Sequence, residues 1–246
     1  MTTTANTNTN TGSGSKTPKS PGQFRLPDPP EHPDDKMTNF KQLATTGHAH
    51  HLARHLGNPE TTLVAGERYL VVRPTRSMAG SHYPDLLVAF DVDSAAYEAS
   101  NGYIIEEQGK PPDFVLEIAS PRTGHIDVGE KREAYAALRI TEYWRFDETG
   151  QYHGARLAGD RLENGQYVAI ELNAPAENVL QGYSAVLNLY LRWESGVLGW
   201  YDPNTGMHIA TFDTEREGRL QERAARIQAE ARVRELEEEI HRLRNG

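Results

Sequence analysis

Cysteine is absent from the 246 residues, so the chain can form neither a disulfide framework nor a thiolate-ligated zinc site. That agrees with a reducing compartment, and a cytoplasmic setting is the expectation. No stretch approaches the roughly 18 consecutive apolar residues of a membrane helix, and the Thr/Asn-rich N-terminus lacks the charged-then-apolar layout of a secretory signal. Positive charge is also in short supply. The chain carries a net −9, and within residues 36–214, 15 Lys/Arg face 23 Asp/Glu for a net −8. The mean field of such a domain repels nucleic acid. Any enzyme of DNA built from it needs metal ions to neutralise its site and a local basic lip, for which Arg73, Arg76, Arg122, Lys131 and Arg132 are the candidates.

Three segments are expected. Residues 1–35 are rich in Thr, Asn, Gly, Ser and Pro, with Phe24 and Leu26 their only large apolar side chains after Met1, and read as a disordered leader. Residues 36–214 are long enough for one domain with a real core. There, a helix is expected at His48 to Leu56 and extended runs at Thr62 to Val72, Leu86 to Phe90, Gly102 to Glu106 and Phe114 to Ile118. Asp127, with Glu130 three residues on, reads as the N-cap of a helix that stops near Ile140, with Val128, Lys131, Ala134, Tyr135 and Leu138 on one face. Glu142 to Phe146 is strand-like, and the turn Asp147 to Gly150 suggests a hairpin returning along Gln151 to Leu157. Further extended runs (Tyr167 to Leu172, Ala185 to Trp193, Val197 to Tyr201, His208 to Phe212) make the back half mostly antiparallel. The expected architecture is mixed α/β: a central sheet flanked by helices and extended by antiparallel strands. Residues 215–246 read as a long solvated helix, with apolar stripes at Leu220, Ala224, Ile227, Ala231 and then at Val233, Leu236, Ile240, Leu243. Each stripe is about two heptads, so a short coiled coil and a homo-oligomer stand beside a solvated tail as readings.

The chemistry centres on two acids at the ends of strand-like runs. Asp85 opens Leu86-Leu87-Val88-Ala89-Phe90, and Glu117 closes Asp113-Phe114-Val115-Leu116-Glu117. Opposed on neighbouring strands, two side chains have Cβ atoms about 4.5–5.5 Å apart, close enough for two carboxylates to share one hard cation. Mg²⁺ held there, with Mn²⁺ as substitute, would polarise a phosphate and activate a water. Lys131 shares the apolar stripe of its helix, so its stem points toward the sheet, where an unpaired ammonium would be costly and the two acids would relieve it. The competing readings are a turn residue after Pro84 for Asp85, a strand-end surface acid for Glu117, and a snorkelling Lys131.

Tyr83-Pro84-Asp85-Leu86-Leu87-Val88, then Asp113 through Thr123, then Asp127, Glu130-Lys131-Arg132-Glu133-Ala134-Tyr135 and Thr141 through Asp147 together resemble the Uma-type family of restriction-endonuclease-like proteins. That family belongs to the PD-(D/E)XK nuclease superfamily. The resemblance spans roughly residues 37–212, and it implies a restriction-endonuclease-like core, a Mg²⁺-dependent hydrolase and DNA as substrate. It makes Asp85 and Glu117 the metal-binding acids. The usual superfamily lysine, two positions after the second acid, is replaced by Ala119, and the family pattern moves it to Lys131 on the following helix. Glu67 would be an auxiliary acid or a surface strand residue. Ser120, Thr123 and Asp127 match the pattern too, as auxiliary residues contacting substrate or a metal-bound water, with strand exit, loop hydroxyl and N-cap as their ordinary explanations. His82 stands as a residue near the metal or an exposed loop histidine.

Two other readings compete at the level of function. A catalytically degenerate nuclease fold kept as a binding or scaffold module fits the acidic surface and the relocated lysine. An all-β ligand-binding protein fits the strand-rich back half but leaves the Lys131 helix unexplained. His48, His50, His51 and His55 invite a zinc reading, yet no carboxylate lies between them in the metalloprotease manner.

Overall fold

The runs at 86–90, 114–118 and 142–146 are apolar on both faces, the pattern of strands covered from both sides. A computed structural model, which describes residues 24–28 and 48–245, places all three in the middle of one sheet. In chain order the elements are α1 (His48–Leu56), β1 (Thr62–Ala65), β2 (Tyr69–Val71), β3 (Leu86–Phe90), α2 (Ser94–Ser100), β4 (Gly102–Ile104), α3 (Ile105–Gln108) and β5 (Phe114–Ile118). They continue with α4 (Gly124–Val128), α5 (Glu130–Ala137), β6 (Glu142–Phe146), β7 (Leu157–Glu163), β8 (Gln166–Ala169), β9 (Leu172–Asn173), β10 (Val179–Ser184), β11 (Leu189–Glu194), β12 (Val197–Asp202), β13 (Met207–His208) and α6 (Phe212–Asn245). The six-stranded sheet has the order β1-β3-β5-β6-β7-β8, antiparallel except for the parallel pair β5–β6. A second, antiparallel sheet has the order β13-β12-β11-β10-β9, and β2 and β4 form a short parallel pair. The architecture is mixed α/β and consistent with a restriction-endonuclease-like fold.

Alternation along the strands separates two cores. Leu86, Val88, Phe114, Leu116, Ile118, Trp144 and Phe146 face the second sheet, meeting Leu189, Leu191, Leu198 and Trp200. Leu87, Ala89, Val115 and Tyr143 face the other way, toward Tyr97 of α2 and Tyr135 of α5. The β5–β6 crossover runs through α4 and α5, as a parallel pair requires, and this lays α5 over that second face. Glu142 fastens the two sheets: its buried carboxylate accepts bonds from Ser184 Oγ (2.5 Å), Trp144 Nε1 (3.0 Å) and the amides of Ala185 (2.9 Å) and Val186 (3.2 Å).

Several expected elements differ. The run 62–72 is split by Gly66 and Glu67, the latter at φ 54°, into β1 and β2. The run 102–106 ends after Ile104, because Glu106, Glu107 and Gln108 favour a helical turn and Gly109 closes it in the left-handed region. The return of the β6 hairpin begins at Leu157, with 147–156 as the connection, and the extended run expected from Ala185 starts at Leu189 after the unforeseen β10. Of the last expected run, His208 to Phe212, only His208 is strand, joined to Met207 in β13, and α2 was not anticipated. The helix expected from Asp127 is two helices broken at Gly129, so Asp127 is no N-cap, Val128 is exposed, and α5 ends at Ala137. The expected leader lies outside the described residues except for 24–28, where Leu26 is buried against Val71 and Ile104.

Candidate active site

The site follows from strand periodicity. The β3–β5 register sets Leu86 opposite Leu116 and Leu87 opposite Val115; one residue further, Asp85 comes opposite Glu117. Both continue the face of Leu87 and Val115, so both point beneath α5. Asp85 is 4% exposed and Glu117 2%. Asp85 Oδ2 accepts the Ile118 amide at 2.6 Å, a bond that ties the end of β3 to β5. Gly66 permits the close approach behind it, since a Cβ there would stand 2.1 Å from the Asp85 carbonyl oxygen.

The cover comes from α5. Lys131 and Tyr135, one turn apart, both descend on Glu117: Lys131 Nζ lies 2.9 Å from Oε2, and the Tyr135 hydroxyl donates to Oε1 at 2.6 Å. Lys131 Nζ also pairs with Asp127 Oδ1 at 2.8 Å. Asp127 in turn meets His153 Nε2 at 3.0 Å. His153 arrives on the 147–156 connection, which is gathered around the Asp147 carboxylate by the amides of Thr149, Tyr152 and His153. His82 is half-buried, with its ring 5.1 Å from that of Tyr135.

Three buried carboxylates thus lie around one ammonium, which pairs with Glu117 and Asp127. Burial, and then repulsion from Glu117, holds the Asp85 carboxyl well above the usual carboxylate range against the pull of the Ile118 amide. Burial raises Glu117 as well, even with Lys131 beside it. Burial alone would lower Lys131, but the charges of Glu117 and Asp127 outweigh it and push the ammonium up, so it stays protonated. His82 is lowered by burial and by Lys131, which favours neutral imidazole there.

The structure therefore brings together Asp85, Glu117, Lys131, Asp127 and His82. The others fall elsewhere or serve the local chain. Glu67 is exposed in the left-handed turn and not on a strand, its amide donating to the Pro84 carbonyl at 3.2 Å. Ser120 and Thr123 bond one another at 2.8 Å within the strand exit. Of the basic lip, Arg73, Arg76 and Arg122 are exposed, but Arg132 is drawn to Asp160 at 2.9 Å and Lys131 points inward. Of the four histidines, the side chain of His48 lies outside the described residues; His51 is buried while His50 and His55 are exposed. His153 and the role of Asp127 were missed from the sequence. The i, i+4 spacing of Asp127 and Lys131 was the available signal for the second.

Among the described residues no group of three or more His, Asp or Glu side chains forms a ready metal cage. The donor set nevertheless fits a hard divalent cation. Asp85 and Glu117 offer only oxygen, ionised carboxylates have about four lone-pair sites each, and the two lie opposite one another with a single ammonium at Glu117. No helix among the described residues is long and apolar enough to cross a membrane. A family model, Uma2, described as "Putative restriction endonuclease", matches residues 44–192. No curated protein matches the chain.

Proposed function

The chain belongs to the Uma2 family, and from that premise we propose that it is a metal-dependent endonuclease that hydrolyses DNA phosphodiester bonds at Asp85, Glu117 and Lys131. Family membership points to a nuclease; the buried acid pair facing the lysine, with Asp127 behind, is the observation that supports the specific reading. Asp85 and Glu117 would hold Mg²⁺, for which Mn²⁺ can substitute. When bound there, the cation supplies Lewis-acid polarisation of the scissile phosphate and a water of lowered pKa. Asp85 is fixed for this by the Ile118 amide, and Glu117 by Tyr135. Lys131, kept cationic by its two carboxylates, stabilises negative charge developing on the phosphate oxygens. Asp127 and His153 position that lysine. Purified protein should nick DNA with Mg²⁺ or Mn²⁺ and lose this on Asp85→Ala. Cleavage that survives the substitution places the activity elsewhere.

One observation favours a second reading. Lys131 is held by two acids and Glu117 by two donors, an arrangement that also serves as a polar anchor for α5. On that reading the chain is a catalytically degenerate scaffold of the nuclease fold. Calorimetric titration with Mn²⁺ separates the two, because an anchor that is already satisfied takes up no ion.

A further inference from the structure

Helix α6 carries six of the chain's exposed large apolar side chains: Leu220, Ile227, Val233, Leu236, Ile240 and Leu243. Every residue from Arg216 to Asn245 is exposed, and the helix is held near its start by an Arg54–Glu215 ion pair of 2.9 Å. Burying such side chains is favourable, so their exposure along one helix calls for a partner. The spacing says what kind. Leu220, Ala224, Ile227 and Ala231 share one face, as do Val233, Leu236, Ile240 and Leu243. At roughly 100° per residue, the two-residue step from Ala231 to Val233 turns the stripe by about 200°, to the opposite side of the helix. One straight partner helix cannot cover both stripes.

Charge also differs between the two stripes. Residues 216–232 hold five arginines and three glutamates, a net +2; residues 233–245 hold three arginines and four glutamates, a net −1. Matching first halves with each other sets +2 against +2. A first half against a second half sets +2 against −1 over stripes of nearly equal length.

We propose that α6 is a two-faced coupling helix: the Leu220–Ala231 stripe of one copy seats on the Val233–Leu243 stripe of a second copy of this chain. The contact is heterologous, since different surfaces meet. Each copy in a pair keeps one stripe free, so assembly continues past two copies into a ring or an open row. This does not depend on the nuclease reading.

Complementation tests it with full-length chains. One variant carries Leu220→Gln and Ile227→Gln, the other Leu236→Gln and Ile240→Gln; all four positions are exposed, so the folded domain is untouched, and circular dichroism checks that α6 persists. In sedimentation the unaltered chain should gain mass with concentration beyond a dimer, and should lose association as salt is added. Each variant alone should stay monomeric. Their equimolar mixture should form a heterodimer and stop there, because one intact stripe of each kind remains. A monomeric unaltered chain, a variant that still self-associates, a mixture that stays monomeric, or association indifferent to salt would each overturn the proposal.

Discussion

Two buried charged centres lie on one face of the central sheet, and they are neutralised differently. At the first, Asp160 of β7 meets two guanidiniums: Arg145 at 2.5 Å and Arg132 at 2.9 Å, stacked on Tyr143 and Tyr167. At the second, the buried acids Asp85, Glu117 and Asp127 gather around the single ammonium of Lys131, which pairs directly with the last two. The surplus of positive donors at one and of negative groups at the other is not forced by distance. Arg145 stands beside Glu117 in the β5–β6 register, yet its guanidinium goes to Asp160. At the first centre two cations enclose the one anion, and no negative charge is left over to take up a metal ion. A centre that leaves negative charge over is poised to take up a cation, with the strain of repulsion as the stored driving force.

The sharpest way to break this contrast is to delete one charge from each centre. On the proposed mechanism, Asp85→Asn lowers DNA nicking by about 10²–10³-fold. Its carbonyl oxygen can still accept the Ile118 amide and the repulsion of Glu117 is removed, so thermal stability at neutral pH rises. Asp160→Asn leaves Arg145 buried and under-neutralised and costs about 3–5 kcal/mol in a denaturant titration. Equal destabilisation by the two substitutions would make both centres structural and end the contrast.

Acidification tests the surplus charge with a smaller effect. The folded Asp85 and Glu117 carboxyls titrate above their unfolded values, so they bind protons in a window where the unfolded chain has released them. Their ionisation therefore costs stability as pH rises through that window, and a cation offsets the cost. Mn²⁺ binding followed by calorimetry should weaken as pH falls into it, and should release protons to the buffer. Affinity that does not change with pH would mean the ion sits on exposed carboxylates.

Much of this was legible in the sequence because it is periodic. The strands 86–90, 114–118 and 142–146 are marked by apolar runs, and with β3 beside β5 in the observed register their alternation puts Asp85 and Glu117 on a common face. The stripe shared with Tyr135 points Lys131 toward the sheet, where it meets Glu117, while Val128 of the same expected stripe is exposed. What failed was local chemistry overridden by tertiary contact. Asp127 has the spacing of an N-cap, but Gly129 breaks the helix and frees that carboxylate for Lys131 and His153. His153 itself could not be placed, because it reaches the site through a ten-residue connection whose course is set by Asp147 and not by any period.

That connection yields the smallest effect and the closest test of positioning. Burial pushes the Asp147 carboxyl up, but the His153, Tyr152 and Thr149 amides and the Thr149 hydroxyl more than offset it and hold it below the usual range. The sign follows: a carboxyl depressed in the folded state adds stability above its unfolded pKa and loses it as pH falls through the folded one. Asp147→Asn keeps the shape but weakens bonds made to a charge, so it should cost about 1–2 kcal/mol at neutral pH. The gap from the unaltered protein should close in acid, where both side chains are uncharged. Because His153 is displaced only in part, nicking should fall far less than with Asp85→Asn. A loss as large as that of Asp85→Asn would move His153 from positioning Lys131 into the chemistry itself.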